Sequence, residues 1–228
     1  MTVRVIDIET TGIDAVTDAI VEVASVDLTH EKTITNRQET LVRPGIPVPP
    51  EASAIHHLVD QDLVSAPQLA EVIDRFKGAD AYVAHNCSFE RSFLDRHFGE
   101  VTWICTYKCA LRIWPELVTH GNQSLRYHLR LVNPFGIDRA TLTPHRALSD
   151  VIVTAAILVE MLARARWSEL ARWSDEPALM TVFAFGKYRG QRFDAVPEDY
   201  LRWIAEGSNE LRDEVKFSAR HWLRQRTG

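Results

Sequence analysis

Asp7-Ile8-Glu9-Thr10-Thr11-Gly12 sets two carboxylates two positions apart, at the end of an apolar run that begins at Val3. Residues two apart on a strand share a face, so Asp7 and Glu9 stand side by side. Adjacent acids repel unless a cation lies between them, and carboxylate oxygens completed by water suit Mg²⁺ or Mn²⁺. The plain alternative is a solvated strand edge with two unrelated acids, against which stands the scarcity of Asp inside strands.

A second group is His145-Arg146-Ala147-Leu148-Ser149-Asp150. Asp150 falls near the start of a long helix, where the dipole favours an anion and a ligand can project toward a sheet edge. His145 comes five residues earlier, about 140° away on an ideal helix, so the two converge only if His145 precedes regular helix. Pro144 allows this, because it is accepted at a helix start and biases Thr143 toward extended backbone. An imidazole so placed can take a proton from water at neutral pH, although a lone His is often structural. The third group, His85-Asn86-Cys87-Ser88-Phe89-Glu90, follows the short apolar run Ala81 to Ala84. Glu90 then lies on a helix whose Phe89, Phe93 and Leu94 face inward, its carboxylate just beyond a strand end; a surface Glu is the ordinary alternative.

These groups need a scaffold that brings distant segments together. Three extended runs, Val3 to Ile8, Ile20 to Leu28 and Lys32 to Val42, are bounded by turn-formers and read as an antiparallel meander. A Pro-rich loop leads into a helix over Glu51 to Leu58. Helices are then expected near Pro67 to Phe76, Ser88 to Phe98, Thr106 to Trp114 and Ser124 to Leu131, with strands at Ala81 to Ala84 and Trp103 to Cys105. Val151, Ala155, Leu158 and Leu162 give a longer helix, about Ala147 to Arg166, its apolar stripe. The outcome is an α/β chain: a mixed sheet flanked by helices.

In this order and at these separations, the three groups resemble the DEDDh subgroup of the DnaQ-like 3′→5′ exonuclease family, over about residues 3 to 164. Ala54-Ile55-His56, Trp103-Ile104-Cys105-Thr106, Arg112-Ile113-Trp114-Pro115 and Ser124-Leu125 are similar to the intervening segments. The resemblance implies a ribonuclease H-like fold and hydrolysis of phosphodiesters by two Mg²⁺ or Mn²⁺ ions. By that likeness Asp7 bridges both ions, Glu9 and Asp150 hold the ion that carries the attacking water, Glu90 serves the other, and His145 is the general base. It also implies that the backbone at Thr10, with Thr11 and Gly12 in the same turn, holds the terminal nucleotide. Ile13 packs on a base, with His56 and Asn86 nearby, although Ile13 also suits a core and His56 or His57 a helix-end hydrogen bond. One position departs: the family has Asp where this chain has Glu90, whose extra methylene moves the carboxylate by roughly 1.5 Å. That is tolerable for a ligand acting through water, whereas a direct Mg²⁺ ligand would be disturbed.

Composition limits the partners. With 26 Lys+Arg against 31 Asp+Glu the chain carries a net charge of -5, so a polyanion is gripped locally or through metal. Residues 1–178 hold 17 basic against 24 acidic side chains and the remainder 9 against 7, so the deficit sits in the larger part. The three cysteines, Cys87, Cys105 and Cys109, lack zinc-site spacing and read as reduced thiols, and no apolar run is long enough to span a bilayer; a cytoplasmic protein is expected.

Residues 1–168 are expected to form the catalytic domain, 169–178 a linker, and 179–228 a small hairpin-helix module. Phe183-Ala184-Phe185-Gly186-Lys187-Tyr188-Arg189-Gly190, followed by Pro197-Glu198-Asp199-Tyr200-Leu201-Arg202-Trp203, resembles the tail of exodeoxyribonuclease X-type proteins and points to DNA. Its last helix is expected around Asn209 to Arg226. Lys187 and Arg189 could contact phosphates there, or the tail is simply a packing unit. The expected function is release of nucleoside 5′-monophosphates from 3′ ends of single-stranded or duplex DNA, in repair, alongside other repair or replication proteins. The rivals are a polymerase proofreading subunit, an RNA-trimming relative, and a nucleic-acid-binding protein impaired by Glu90.

Overall fold

The computed structural model describes residues 1–207 and 211–226. Strands β1 (Val3–Thr10), β2 (Ile20–Leu28) and β3 (Ile34–Leu41) form the antiparallel meander, and β4 (Ala81–Ala84) and β5 (Thr102–Cys105) add to it in parallel. The order β3-β2-β1-β4-β5 puts β1 at the centre of a mixed five-stranded sheet, as expected of a ribonuclease H-like fold. Short helices α1 (Pro50–His56), α2 (Asp60–Leu63) and α3 (Leu69–Val72) precede β4. After it come α4 (Ser88–Phe98), α5 (Thr106–Ile113), α6 (Asn122–His128) and α7 (Ala147–Leu162). The helix expected over Pro67 to Phe76 divides into α3 and a 3₁₀ turn at Ile73–Phe76.

The pleat of β1 decides where its chemistry points. Val3 and Val5 pack into the core shared with α7, whereas Ile6 and Ile8 pack into the opposite core with Phe93 and Leu94 of α4. By alternation Asp7 and Glu9 lie on the α7 face, beyond the last apolar residue of that row. Register pairs Glu9 with Glu22 on β2.

The stretch expected as a linker is largely helical. Helix α8 (Trp167–Asp175) buries Leu170 and Ser174, and the Ser174 hydroxyl oxygen accepts the Cys105 amide at 2.7 Å and donates to the Leu170 carbonyl at 2.7 Å. A serine facing the core made this nine-residue helix look aperiodic in sequence. Beyond it, Phe183, Phe193, Val196, Leu201, Ile204, Val215 and Ala219 form a separate buried cluster. The expected hairpin is a loop rather than two paired strands: its one ladder pair is Val182 with Arg192, and a 3₁₀ turn follows at Phe193–Ala195. Gly186 and Gly190 turn the loop at φ 70° and 82°, in the left-handed region that favours glycine. Helices α9 (Glu198–Glu206) and α10 (Asp213–Arg226) complete the cluster. The Asn209 and Glu210 start expected for the last helix lies outside the described residues.

Candidate active site

Asp7, Glu9, Glu90, His145 and Asp150 line one cleft of about 420 Å³, together with His85, Phe89 and residues 121–124. Glu90 sits in the first turn of α4, 3% exposed, and its Oε2 has no hydrogen-bond partner among the described residues. Asp150 sits in the first turn of α7 and is buried. Its Oδ1 accepts Gln123 Nε2 at 2.7 Å, and its Oδ2 accepts the backbone amide of His145 at 2.8 Å. His145 itself stands two residues before the helix, exposed, with φ at +58°, so it escapes the helical phase that would separate it from Asp150.

The electrostatics are those of several carboxylates packed close together in a buried cleft. Burial raises the Asp7 pKa well above its ordinary value, and Glu90, Asp150, Glu9 and Glu22 push it the same way. Glu9 is raised to about 8 by burial and by Asp150 and Glu22, with Arg146 opposing. Burial also raises Glu90 and Asp150, the latter against the hydrogen bonds from Gln123 and His145. Glu9, His145 and Asp150 each present a ligand atom within 4.8 Å of the other two. Hard oxygen donors, an orphaned buried carboxylate oxygen and mutual repulsion all fit a divalent cation.

Three residues that sequence reasoning passed over hold this arrangement. Glu22, 3% exposed on β2, binds Arg146 through Nη2 to Oε1 at 2.7 Å and Nε to Oε2 at 3.1 Å, and also accepts the Ala147 amide at 3.0 Å. The start of α7 is thereby fixed against the strand beside Glu9. Gln123 orients Asp150 from α6. The available signal for Glu22 was a lone acid inside the apolar run Ile20-Val21-Glu22-Val23-Ala24.

A second cavity of about 320 Å³ adjoins the first through Glu9 and Phe89 and is lined by Thr10, Thr11, Gly12, Ile13, Ile55 and His56. Thr11 donates to Asp18 at 3.0 Å and accepts the Ala19 amide at 3.0 Å, which closes the turn, and a Cβ on Gly12 would meet the Asp18 carboxylate at 2.5 Å. Ile13 is 87% exposed at this rim, so it is no core residue. His56 is buried, and its Nδ1 accepts the Leu58 amide at 3.0 Å, the helix-end bond, while the ring still lines the cavity. Asn86 is exposed at φ +72° and lines neither cavity. Lys187 and Arg189 are exposed on the glycine loop and line neither cavity.

Residues 5–158 match a family model described as Exonuclease. The chain belongs to this exonuclease family. It is 39% identical to Exodeoxyribonuclease 10 of Escherichia coli K12, over 96% of this chain and 98% of that one. It is 32% identical to the DNA polymerase III epsilon subunit of Treponema pallidum, over 69% of this chain and 74% of that one. A solved structure of exonuclease X in complex with 5′ overhanging duplex DNA superposes with TM-score 0.64 and 35% identity, covering 75% of this chain and 99% of that one. The exonuclease family is one of divalent-metal-dependent enzymes, in keeping with the acid cluster. Among the described residues of this exonuclease, no helix is long and apolar enough to cross a membrane.

Proposed function

We propose that the chain hydrolyses DNA from 3′ ends, one nucleotide at a time, releasing nucleoside 5′-monophosphates with Mg²⁺ or Mn²⁺ in the cleft. The convergence of Asp7, Glu9, Glu90 and Asp150 with His145 carries this reading, because five side chains from β1, α4 and the start of α7 meet at one place. Asp7, Glu9, Glu90 and Asp150 would hold the divalent ions, whose chemistry is to acidify bound water and to offset charge developing on the phosphate.

The protein's own groups do the rest. His145 takes the proton of the attacking water at its imidazole, with its backbone amide anchored to Asp150. The Glu22–Arg146 pair holds the loop from which His145 projects. Thr10, Thr11 and Gly12 form the wall against which the terminal nucleotide is seated, and Ile13 and Phe89 offer apolar faces to its base. Stacking of that kind reads no sequence.

Residues 1–168 act as the catalytic part, and the cluster from 179 onward as an accessory whose Lys187 and Arg189 contact phosphates. The likeness to Exodeoxyribonuclease 10 along 96% of the chain supports a free-standing DNA enzyme, since the polymerase epsilon likeness covers 69%. The test is digestion of 3′-labelled single-stranded and duplex DNA and RNA in Mg²⁺, Mn²⁺ or EDTA. Mononucleotides released from DNA with either metal are expected, and none in EDTA; internal cleavage, or equal activity on RNA, would count against the assignment.

A further inference from the structure

A cavity of about 480 Å³, larger than the catalytic cleft, lies where α5 and α8 meet α10. Its lining carries three arginines, Arg112, Arg172 and Arg224, against one acid, Glu176, in a chain whose net charge is -5. Arg112 already holds Glu176, Nη2 to Oε2 at 3.1 Å, so that acid is taken. The guanidinium of Arg172 is exposed and donates no hydrogen bond among the described residues. His221 lines the same space, and its pKa is lowered by burial and then by Arg112 and Arg224, with Glu176 opposing. Trp173 and Trp222 add flat apolar surface beside these cations. Cations interleaved with aromatic rings suit a nucleic-acid strand, whose phosphates take the charge and whose sugars and bases take the rings.

We propose that this cavity binds a phosphate and adjoining nucleoside of the DNA strand whose 3′ end lies in the catalytic cleft. The proposal rests on the exonuclease reading above and adds a second point of contact to it. Pro115 lines the cavity and Gly121 lines the cleft, so five residues of chain, six Cα–Cα steps, join the two. An extended chain of that length spans about 20 Å at most, or about six nucleotides at the ~3.4 Å rise per nucleotide of one strand. Shorter substrates reach the cleft alone; longer ones reach both.

The experiment uses the full chain with Mg²⁺ and single-stranded oligonucleotides of two, four, eight and twelve nucleotides. Wild type is expected to show KM falling about tenfold between four and twelve nucleotides. Arg172→Glu should flatten that dependence while leaving kcat/KM on the dinucleotide unchanged, and Arg172→Lys should retain most of it. A length dependence in Arg172→Glu equal to that of wild type overturns the proposal, as does a wild-type KM that is independent of length. Equilibrium dialysis with dAMP in EDTA provides the other arm: binding lost in Arg172→Glu without any change in length dependence assigns the cavity to a free nucleotide and overturns the strand. Failure of the exonuclease reading shows separately, as absence of hydrolysis at every length, and anisotropy of a labelled twelve-nucleotide strand on wild type and Arg172→Glu then decides the cavity: weaker binding to the variant supports it, and equal binding overturns it.

Discussion

Glu22 and Arg146 are 124 residues apart in sequence and joined by two hydrogen bonds, of 2.7 and 3.1 Å, directly behind the acid cluster. The carboxylate is almost wholly buried, so the pair is charge-assisted and geometrically fixed rather than a mobile surface contact. Because Glu22 is also the cross-strand neighbour of Glu9 and accepts the Ala147 amide, it couples one candidate ligand to the segment carrying His145 and Asp150.

Glu22→Gln keeps the shape and removes the charge. Loss of a group that orients ligands costs about 10–100-fold in activity or metal affinity. We expect kcat to fall in that range and half-saturating Mg²⁺ to rise, with Glu22→Asp recovering part of the loss. Steady-state kinetics across a Mg²⁺ titration measures both.

Asp7→Asn should abolish hydrolysis, on the order of 10³-fold or more, since several kcal/mol of metal-borne stabilisation depend on it. It should also make the metal-free protein more resistant to heat, because it removes one of the acids that repel one another. Melting curves in EDTA, wild type against variant, check the second point, and a lower Tm in the variant would contradict it.

The metal-free protein should lose stability as pH rises. Glu9 has a folded pKa of about 8 against 4.5 for the ordinary side chain, so the folded state holds the proton more tightly. Its contribution is full below about 4.5 and disappears as pH passes through about 8. The same direction holds for Asp7, Glu90 and Asp150. In EDTA we expect Tm to drop between pH 5 and pH 8 by at least roughly 2–4 °C, the equivalent of about 1 kcal/mol in a chain of this size. Saturating Mg²⁺ should remove most of the drop, because it binds the charged form.

Glu90→Asp shortens the buried side chain by one methylene. The Mg²⁺-supported rate should hold or rise, and the ratio of Mn²⁺ to Mg²⁺ activity should fall. Parallel assays in the two metals test this, and complete inactivity of Glu90→Asp would show that the longer acid is built into the site.

Gly12→Ala should destabilise the protein by about 1–3 kcal/mol, because the new methyl meets the Asp18 carboxylate that staples the turn. Removing that carboxylate with Asp18→Ala relieves the clash, so the double variant should cost less than the sum of the two single ones. Urea melts of the three variants measure the coupling.

Much of the site was legible before folding, because its chemistry is written in residue types that strands and helix starts seldom carry without cause. Asp7 and Glu9 two apart at a strand end, and Asp150 five beyond a His preceded by Pro, gave both the candidate ligands and the need for His145 to precede the helix; its φ of +58° meets that need. The meander, the parallel strands and α7 followed from period and length. Helix α8 did not, because its core-facing Ser174 reads as polar until the Cys105 amide is set against it.

Local sequence therefore determined the strands, the helices and the acids that would be unfavourable side by side without a cation, since period and charge act between near neighbours. The tertiary structure alone decided what lies across the chain: that Glu22 stands behind Glu9 and grips Arg146, that Gln123 faces Asp150, that Ile13 is left on a rim, and that α5, α8 and α10 enclose an arginine-lined space. Those are contacts between residues tens to more than a hundred positions apart, and the packing of helices on a sheet, not any local preference, sets which of them meet.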